Sequence, residues 1–133
     1  MRAVIRILLI EDDPLYGKLV RMLLEDSGCT VTLAGTAEEG VRLAGAEVPD
    51  LILMDMHLPG ADGFETIRRL RGDPRVERVP TIGFTAAAVS GEEERLKARE
   101  AGFDAYMTKP VNMAEVRAML EPFRGSTPSS GAG

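Results

Sequence analysis

Two kinds of stretch alternate along the chain. Short apolar or β-branched runs without helical spacing stand at Val4–Ile10, Thr30–Ala34, Leu51–Met54, Thr81–Phe84 and Ala105–Met107. Val4–Ile10, apolar apart from Arg6, and the unbroken Leu51–Met54 read as strands buried on both faces, as strands of a parallel sheet do. Between the runs, apolar residues recur at spacings of three and four, bounded by helix punctuation. Pro14 is placed to open a first helix, with Leu15, Leu19, Met22 and Leu23 as its predicted inner side and Gly28 as its stop. Thr36 with Glu39 is a capping-box pattern for a second helix, whose apolar side is Val41, Leu43 and Ala44. Phe64, Ile67, Arg68 and Leu70 suggest a third, closed by Gly72-Asp73-Pro74. Ser90 with Glu93 caps a highly charged fourth that ends at Ala101 before Gly102, and Asn112 with Glu115 starts a fifth, on which Met113, Val116, Met119 and Leu120 share a side.

Strand and helix in strict alternation, five times, predict a parallel sheet with helices on both faces, because parallel strands need crossover connections. The predicted fold class is therefore α/β, a small doubly wound sandwich. At 133 residues the chain is long enough for one domain and one core. Residues 1–123 are expected to form that domain. From Arg124 to Gly133 the chain is dominated by Gly, Ser, Thr and Pro, and a disordered tail is expected.

Charge and composition narrow the function classes. A net charge of −5, with Lys and Arg dispersed among acids, argues against nucleic-acid binding, which calls for a basic patch or stripe. The single cysteine, Cys29, excludes an internal disulfide and a multi-cysteine metal site, and it fits a reducing, cytoplasmic compartment. Beside a turn glycine it reads as a small apolar residue. The apolar run near the N-terminus is too short for a signal peptide or a membrane span, so a soluble protein without membrane contact is expected.

The chemistry converges on Asp55. It ends the most apolar strand, directly before Met56-His57-Leu58-Pro59-Gly60. A carboxylate is costly to bury unpaired, so Asp55 is either a cap or a working group. Sites of open parallel sheets lie beyond the carboxyl ends of the strands, near the point where strand order reverses, and there Glu11 and Asp12 should meet Asp55. Such crowding raises carboxylate pKa values unless a cation joins the group, and Mg2+ with its preference for oxygen ligands would relieve it. Read alone, Glu11, Asp12 and Asp13 are also acids favoured at a helix N-terminus, which leaves Asp55 unexplained. Thr85, after the fourth strand, offers a hydroxyl, with room left by Ala86, Ala87 and Ala88; Lys109, after the fifth, offers a positive charge. Metal-holding acids, a carboxylate nucleophile and two donors for anionic oxygens make a phosphoryl-transfer site.

In order and spacing, Ile7-Leu8-Leu9-Ile10-Glu11-Asp12-Asp13-Pro14, the stretch Asp50 to Gly63, Phe84-Thr85-Ala86 and Tyr106-Met107-Thr108-Lys109-Pro110 resemble the receiver domain of bacterial two-component response regulators over residues 4 to 123. The resemblance implies a flavodoxin-like (CheY-like) sheet of strand order 2-1-3-4-5 and phosphorylation of Asp55 by a histidine-kinase phosphohistidine in a reaction dependent on Mg2+ or Mn2+. It also implies Asp12, Asp55 and the backbone carbonyl of His57 as metal ligands, Glu11 acting through metal-bound water, and Thr85 and Lys109 on the phosphoryl oxygens. The Lys109–Pro110 peptide is expected to be cis. Tyr106 matches the aromatic switch position, through which the surface of the fourth helix, fifth strand and fifth helix would change. On its own residues Tyr106 also reads as a core aromatic whose hydroxyl reaches water. His57 reads as a bland surface group or, remotely, as a phosphoryl acceptor itself. Ala87 lacks a hydrogen-bonding side chain, so moderate self-dephosphorylation is expected.

The partners so implied are a sensor histidine kinase or histidine phosphotransfer protein and a downstream protein target, with the receiver a monomer or weak dimer and a switch rather than a metabolic enzyme. The chain resembles CheY-like or DivK-like stand-alone receivers, and equally a receiver excised from a longer regulator or hybrid kinase. Other classes fit less well. An aspartyl-nucleophile phosphatase needs a second Asp as general acid where His57 stands. A nucleotide- or flavin-binding module needs a Gly-rich turn where Glu11-Asp12-Asp13 stand. A degenerate receiver used only for docking would not need its acids, Thr85 and Lys109 intact.

Overall fold

The computed structural model describes residues 4–86 and 91–125. Five strands, β1 (Ile5–Ile10), β2 (Cys29–Ala34), β3 (Leu51–Asp55), β4 (Thr81–Thr85) and β5 (Ala105–Thr108), alternate with α1 (Pro14–Asp26), α2 (Ala37–Ala46), α3 (Gly63–Arg71), α4 (Glu92–Ala101) and α5 (Met113–Gly125). The strands form one parallel sheet in the order β2-β1-β3-β4-β5, as expected.

Successive side chains of a strand point to opposite faces, which explains why Ile7–Ile10 of β1 and Leu51–Met54 of β3 are apolar without a break. Leu8, Ile10, Ile52 and Met54 enter a core shared with α2, α3 and α4, including Ile67, Leu70 and Ala98. Ile7, Leu9, Leu51 and Leu53 enter a second core on the other face with Val20 and Leu24 of α1 and Val116 and Leu120 of α5. No helix among the described residues is long and apolar enough to cross a membrane.

The ends of the elements follow local chemistry. Asp13 caps α1, accepting from the backbone N–H groups of Leu15 and Tyr16. Thr36 caps α2 by accepting from Glu39 N–H, while Glu39 reaches back to the Gly35 N–H, one residue before the cap. Asn112 and Glu115 form the reciprocal box, each side chain accepting from the other's backbone N–H. α4 departs from expectation: its N-cap is Gly91, which has no side chain to donate or accept, and Ser90 lies outside the described residues. α5 continues through Arg124 and Gly125, past the anticipated domain end at Phe123; the rest of the expected tail, 126–133, lies outside the described residues.

The inner face of α1 is not the predicted one. Leu15, Leu19 and Met22 are exposed, at 79%, 49% and 58%, and the helix buries Gly17, Val20 and Leu24 instead. The helix lies close to β2 at Gly17, where an added Cβ would stand 3.3 Å from a Leu33 methyl. Close approach through a small residue outweighs the wider stripe of large ones.

Candidate functional site

The predicted acids, Thr85 and Lys109 lie at the carboxyl edge of the sheet or just beyond it. Glu11 and Asp12 follow β1, Asp55 closes β3, Thr85 closes β4 and Lys109 follows β5. Because β1, β3, β4 and β5 are successive neighbours in the sheet, these five residues are brought together. Asp55 is held in register with Phe84 of β4 and is only 5% exposed. The loop after it is kept tight by Gly63, where a Cβ would collide with the Met56 carbonyl at 2.8 Å.

Carboxylate oxygens of Glu11, Asp12 and Asp55 all lie within 4.8 Å of one another. Lys109 is their counter-charge. Its Nζ donates to Asp55 Oδ2 at 2.9 Å and stands 3.1 Å from Glu11 Oε1. That second contact is an attraction without hydrogen-bond alignment, so Glu11 Oε1 is a buried oxygen lacking a hydrogen-bond donor among the described residues. The other Glu11 oxygen accepts from the Asp13 N–H at 3.1 Å, and Asp55 Oδ1 accepts from the His57 N–H at 2.9 Å.

The electrostatics follow. Burial, with the charge of Asp55 adding to it, pushes the Glu11 carboxyl above its ordinary value, against the Asp13 N–H and Lys109. Burial works against the Lys109 ammonium, but the hydrogen bond to Asp55 and the close carboxylates of Asp55 and Glu11 outweigh it and raise its pKa. Three carboxylates against one ammonium leave negative charge in excess, and an under-coordinated oxygen points into the group. Hard oxygen donors in that arrangement fit a small divalent cation such as Mg2+.

Asp13 turns its side chain to helix capping, so only Glu11 and Asp12 of the acidic run join Asp55. The Lys109–Pro110 peptide is cis, as the resemblance implied. Tyr106 is half-buried on β5, in register with Gly83, and packs against the core on the α2–α4 face. It also lines a cleft of about 690 Å3 between α4 and β5 with Arg95, Leu96, Arg99 and Phe103, away from the acidic residues. Ala86 is exposed beside Thr85, whereas Ala87 and Ala88 lie outside the described residues, and with them the expectation about self-dephosphorylation.

Residues 7–121 match the response regulator receiver domain family. The chain belongs to that family. The receiver is 35% identical over 119 residues to the polar-differentiation response regulator DivK of Brucella ovis, spanning 90% of this chain and 95% of DivK. It resembles the crystallised receiver domain of the sensor histidine kinase PA1611 from Pseudomonas aeruginosa PAO1, which holds a coordinated magnesium ion in its active site cleft. That likeness has a TM-score of 0.81 and 36% identity, over 93% of this chain and all of the other. Chemotaxis protein CheY4 of Vibrio cholerae shares the fold, with a TM-score of 0.83 at 22% identity over 90% of this receiver and 98% of CheY4. Receivers of this family are the phospho-acceptor switches of two-component systems.

Two contacts of the receiver's site had no counterpart in the sequence reading. The Tyr16 ring lies under Lys109, with Nζ 4.7 Å from its centroid, and the Tyr16 hydroxyl accepts from the Val111 N–H at 3.2 Å. The ring thus steadies the lysine and ties α1 to the segment after β5. Burial raises the Tyr16 hydroxyl pKa. The other is His57, whose Nε2 lies 3.2 Å from Thr85 Oγ1. The position of Tyr16 two residues after Pro14 was a usable signal for a first-turn aromatic near the site. No local pattern signals the His57 contact.

Proposed function

We propose that this receiver accepts a phosphoryl group on Asp55 from the phosphohistidine of a sensor histidine kinase or histidine phosphotransfer protein, in a Mg2+- or Mn2+-dependent reaction. The observation that carries the reading is the Lys109 ammonium held between Asp55 and Glu11 within a cluster of three carboxylates. A carboxylate oxygen of Asp55 attacks phosphorus, the new O–P bond forms as the donor's N–P bond breaks, and the freed imidazole takes its proton from solvent. Lys109 is already beside the attacking carboxylate and can pair with a phosphoryl oxygen once the charge has moved outward. Thr85 supplies the hydroxyl donor at the next strand end.

Asp12, Asp55 and the His57 carbonyl would ligate the metal directly, and Glu11 through a water. The bound ion would offset the charge of the carboxylates and of the incoming phosphoryl oxygens. The magnesium in the cleft of the PA1611 receiver supports this assignment. Thr85 drawn toward the phosphoryl group would let Tyr106 move inward and change the α4-β5-α5 surface, a population shift between two states that a downstream protein reads. The receiver would work in the cytoplasm as a monomer or weak dimer, without nucleic acid, and as a switch rather than a metabolic enzyme.

The test is incorporation of phosphate from acetyl phosphate or a phosphorylated kinase. Uptake that requires Mg2+ and is lost in Asp55→Asn is expected; uptake surviving that substitution refutes the assignment.

A further inference from the structure

His57 is an exposed residue whose ring reaches a wholly buried one. Its Nε2 lies 3.2 Å from Oγ1 of Thr85, a residue that is 0% exposed. The backbones on both sides are fixed. The His57 N–H is bound to Asp55 Oδ1 at 2.9 Å, and the Thr85 carbonyl accepts from the Lys109 N–H at 2.7 Å. The ring-to-hydroxyl bond therefore bridges the ends of β3 and β4 directly beside Asp55. A buried hydroxyl requires a partner, and the imidazole supplies one whichever ring nitrogen carries the proton: Oγ1 donates to a bare Nε2 or accepts from a protonated one.

We propose that His57 is a positioning residue, a latch on the Thr85 hydroxyl, and that phosphorylation of Asp55 exchanges the imidazole for a phosphoryl oxygen as the partner of that hydroxyl. The inference rests on the reading of Thr85 as a phosphoryl ligand. Its consequence is that His57 opposes the switch. The phosphoryl group must break an existing hydrogen bond before it gains the threonine, and the ease of that exchange sets how readily the receiver is phosphorylated.

The experiment measures the rate of Mg2+-dependent phosphorylation of the full chain by acetyl phosphate, with folding of each variant checked by urea unfolding. His57→Ala should react faster by roughly three- to tenfold, the range of one net hydrogen bond. His57→Gln keeps a group that can donate or accept at similar reach, so it should react more slowly than His57→Ala and back toward the wild-type rate. In a Thr85→Ala background, adding His57→Ala should leave the rate where Thr85→Ala alone puts it. A His57→Ala rate at or below wild type overturns the latch, because the imidazole would then assist phosphorylation or be idle. Equal acceleration in the Thr85→Ala background also overturns it, since His57 would then act on access to Asp55 rather than through the threonine. Asp55→Asn separates the two levels. If it still takes up phosphate, the site assignment falls and the latch with it; if it does not and His57→Ala is not accelerated, the latch alone falls.

Discussion

The two ends of the sheet both gather charged side chains against backbone, and they leave opposite hydrogen-bond outcomes. At the amino end, the Arg71 guanidinium donates to the carbonyls of Gly102 at 2.7 Å, Val79 at 2.7 Å and Glu77 at 3.2 Å, and to Asp104 Oδ2 at 2.9 Å. The same Asp104 oxygen accepts from the Thr81 N–H that opens β4. The planar fork of arginine finds acceptors all round, and the cluster joins α3 to the starts of β4 and β5. At the carboxyl end, Glu11 and Asp55 are more deeply buried than Arg71, yet three carboxylates share one ammonium and a glutamate oxygen lacks a donor. A saturated polar cluster holds the architecture together. An unsaturated one, buried more deeply still, holds a capacity to bind, because its deficit can be met from outside the chain.

That contrast fails or stands on four substitutions. Asp55→Asn should abolish phosphate uptake from acetyl phosphate while moving the thermal midpoint by only a few degrees, about what a change of 1 kcal/mol produces. A variant that unfolds would place Asp55 with the architectural groups. Arg71→Ala should do the reverse, costing about 2–4 kcal/mol in urea unfolding by stranding carbonyls and Asp104, with phosphate uptake by the folded fraction retained.

Glu11→Gln probes the deficit itself. Its folded pKa is raised above the ordinary 4.5, so in the metal-free protein ionised Glu11 opposes folding: its stability contribution is fully present below pH 4.5 and lost as pH rises through the folded value. The Gln variant should therefore be more stable than wild type in metal-free buffer at pH 7, and equal to it below pH 4.5. It should also bind Mg2+ about 10- to 100-fold more weakly by calorimetry, as loss of a group acting through metal-bound water does. Wild-type Mg2+ affinity should fall on acidification as Glu11 takes up its proton. The smallest effect is expected from Asp104→Asn. The side chain is 55% exposed, and an amide oxygen can still accept from Thr81, so urea unfolding should register about 0–1 kcal/mol. A larger loss would mean that the ion pair, rather than the carbonyl contacts of Arg71, carries the amino end.

Much of this was legible in sequence, and the exceptions share a cause. The apolar runs of β1 and β3 set the parallel sheet, and with sheet order they set the company of Asp55, because strand ends of a parallel sheet coincide. Capping boxes at Thr36 and Asn112 could be read locally since their partners are three residues apart. Leu15, Leu19 and Met22 misled because α1 carries two apolar stripes, and the choice between them is made by Leu33 against Gly17, a contact across elements. His57 with Thr85, Lys109 over Tyr16 and Arg71 with Gly102 are likewise meetings of residues 28, 93 and 31 positions apart. Spacing along the chain carries no information about such pairs until the register is known.

The alternation of β1 and β3 between two separate cores has a bearing on divergence. Residues such as Ile52 and Leu53 are sequence neighbours that pack against different helices. Substitutions in the two layers share no partners, so their effects on stability should add rather than compound. A lineage can thus rework the helices on one side while the opposite layer keeps its packing, and the strand ends, anchored by both, hold still between them.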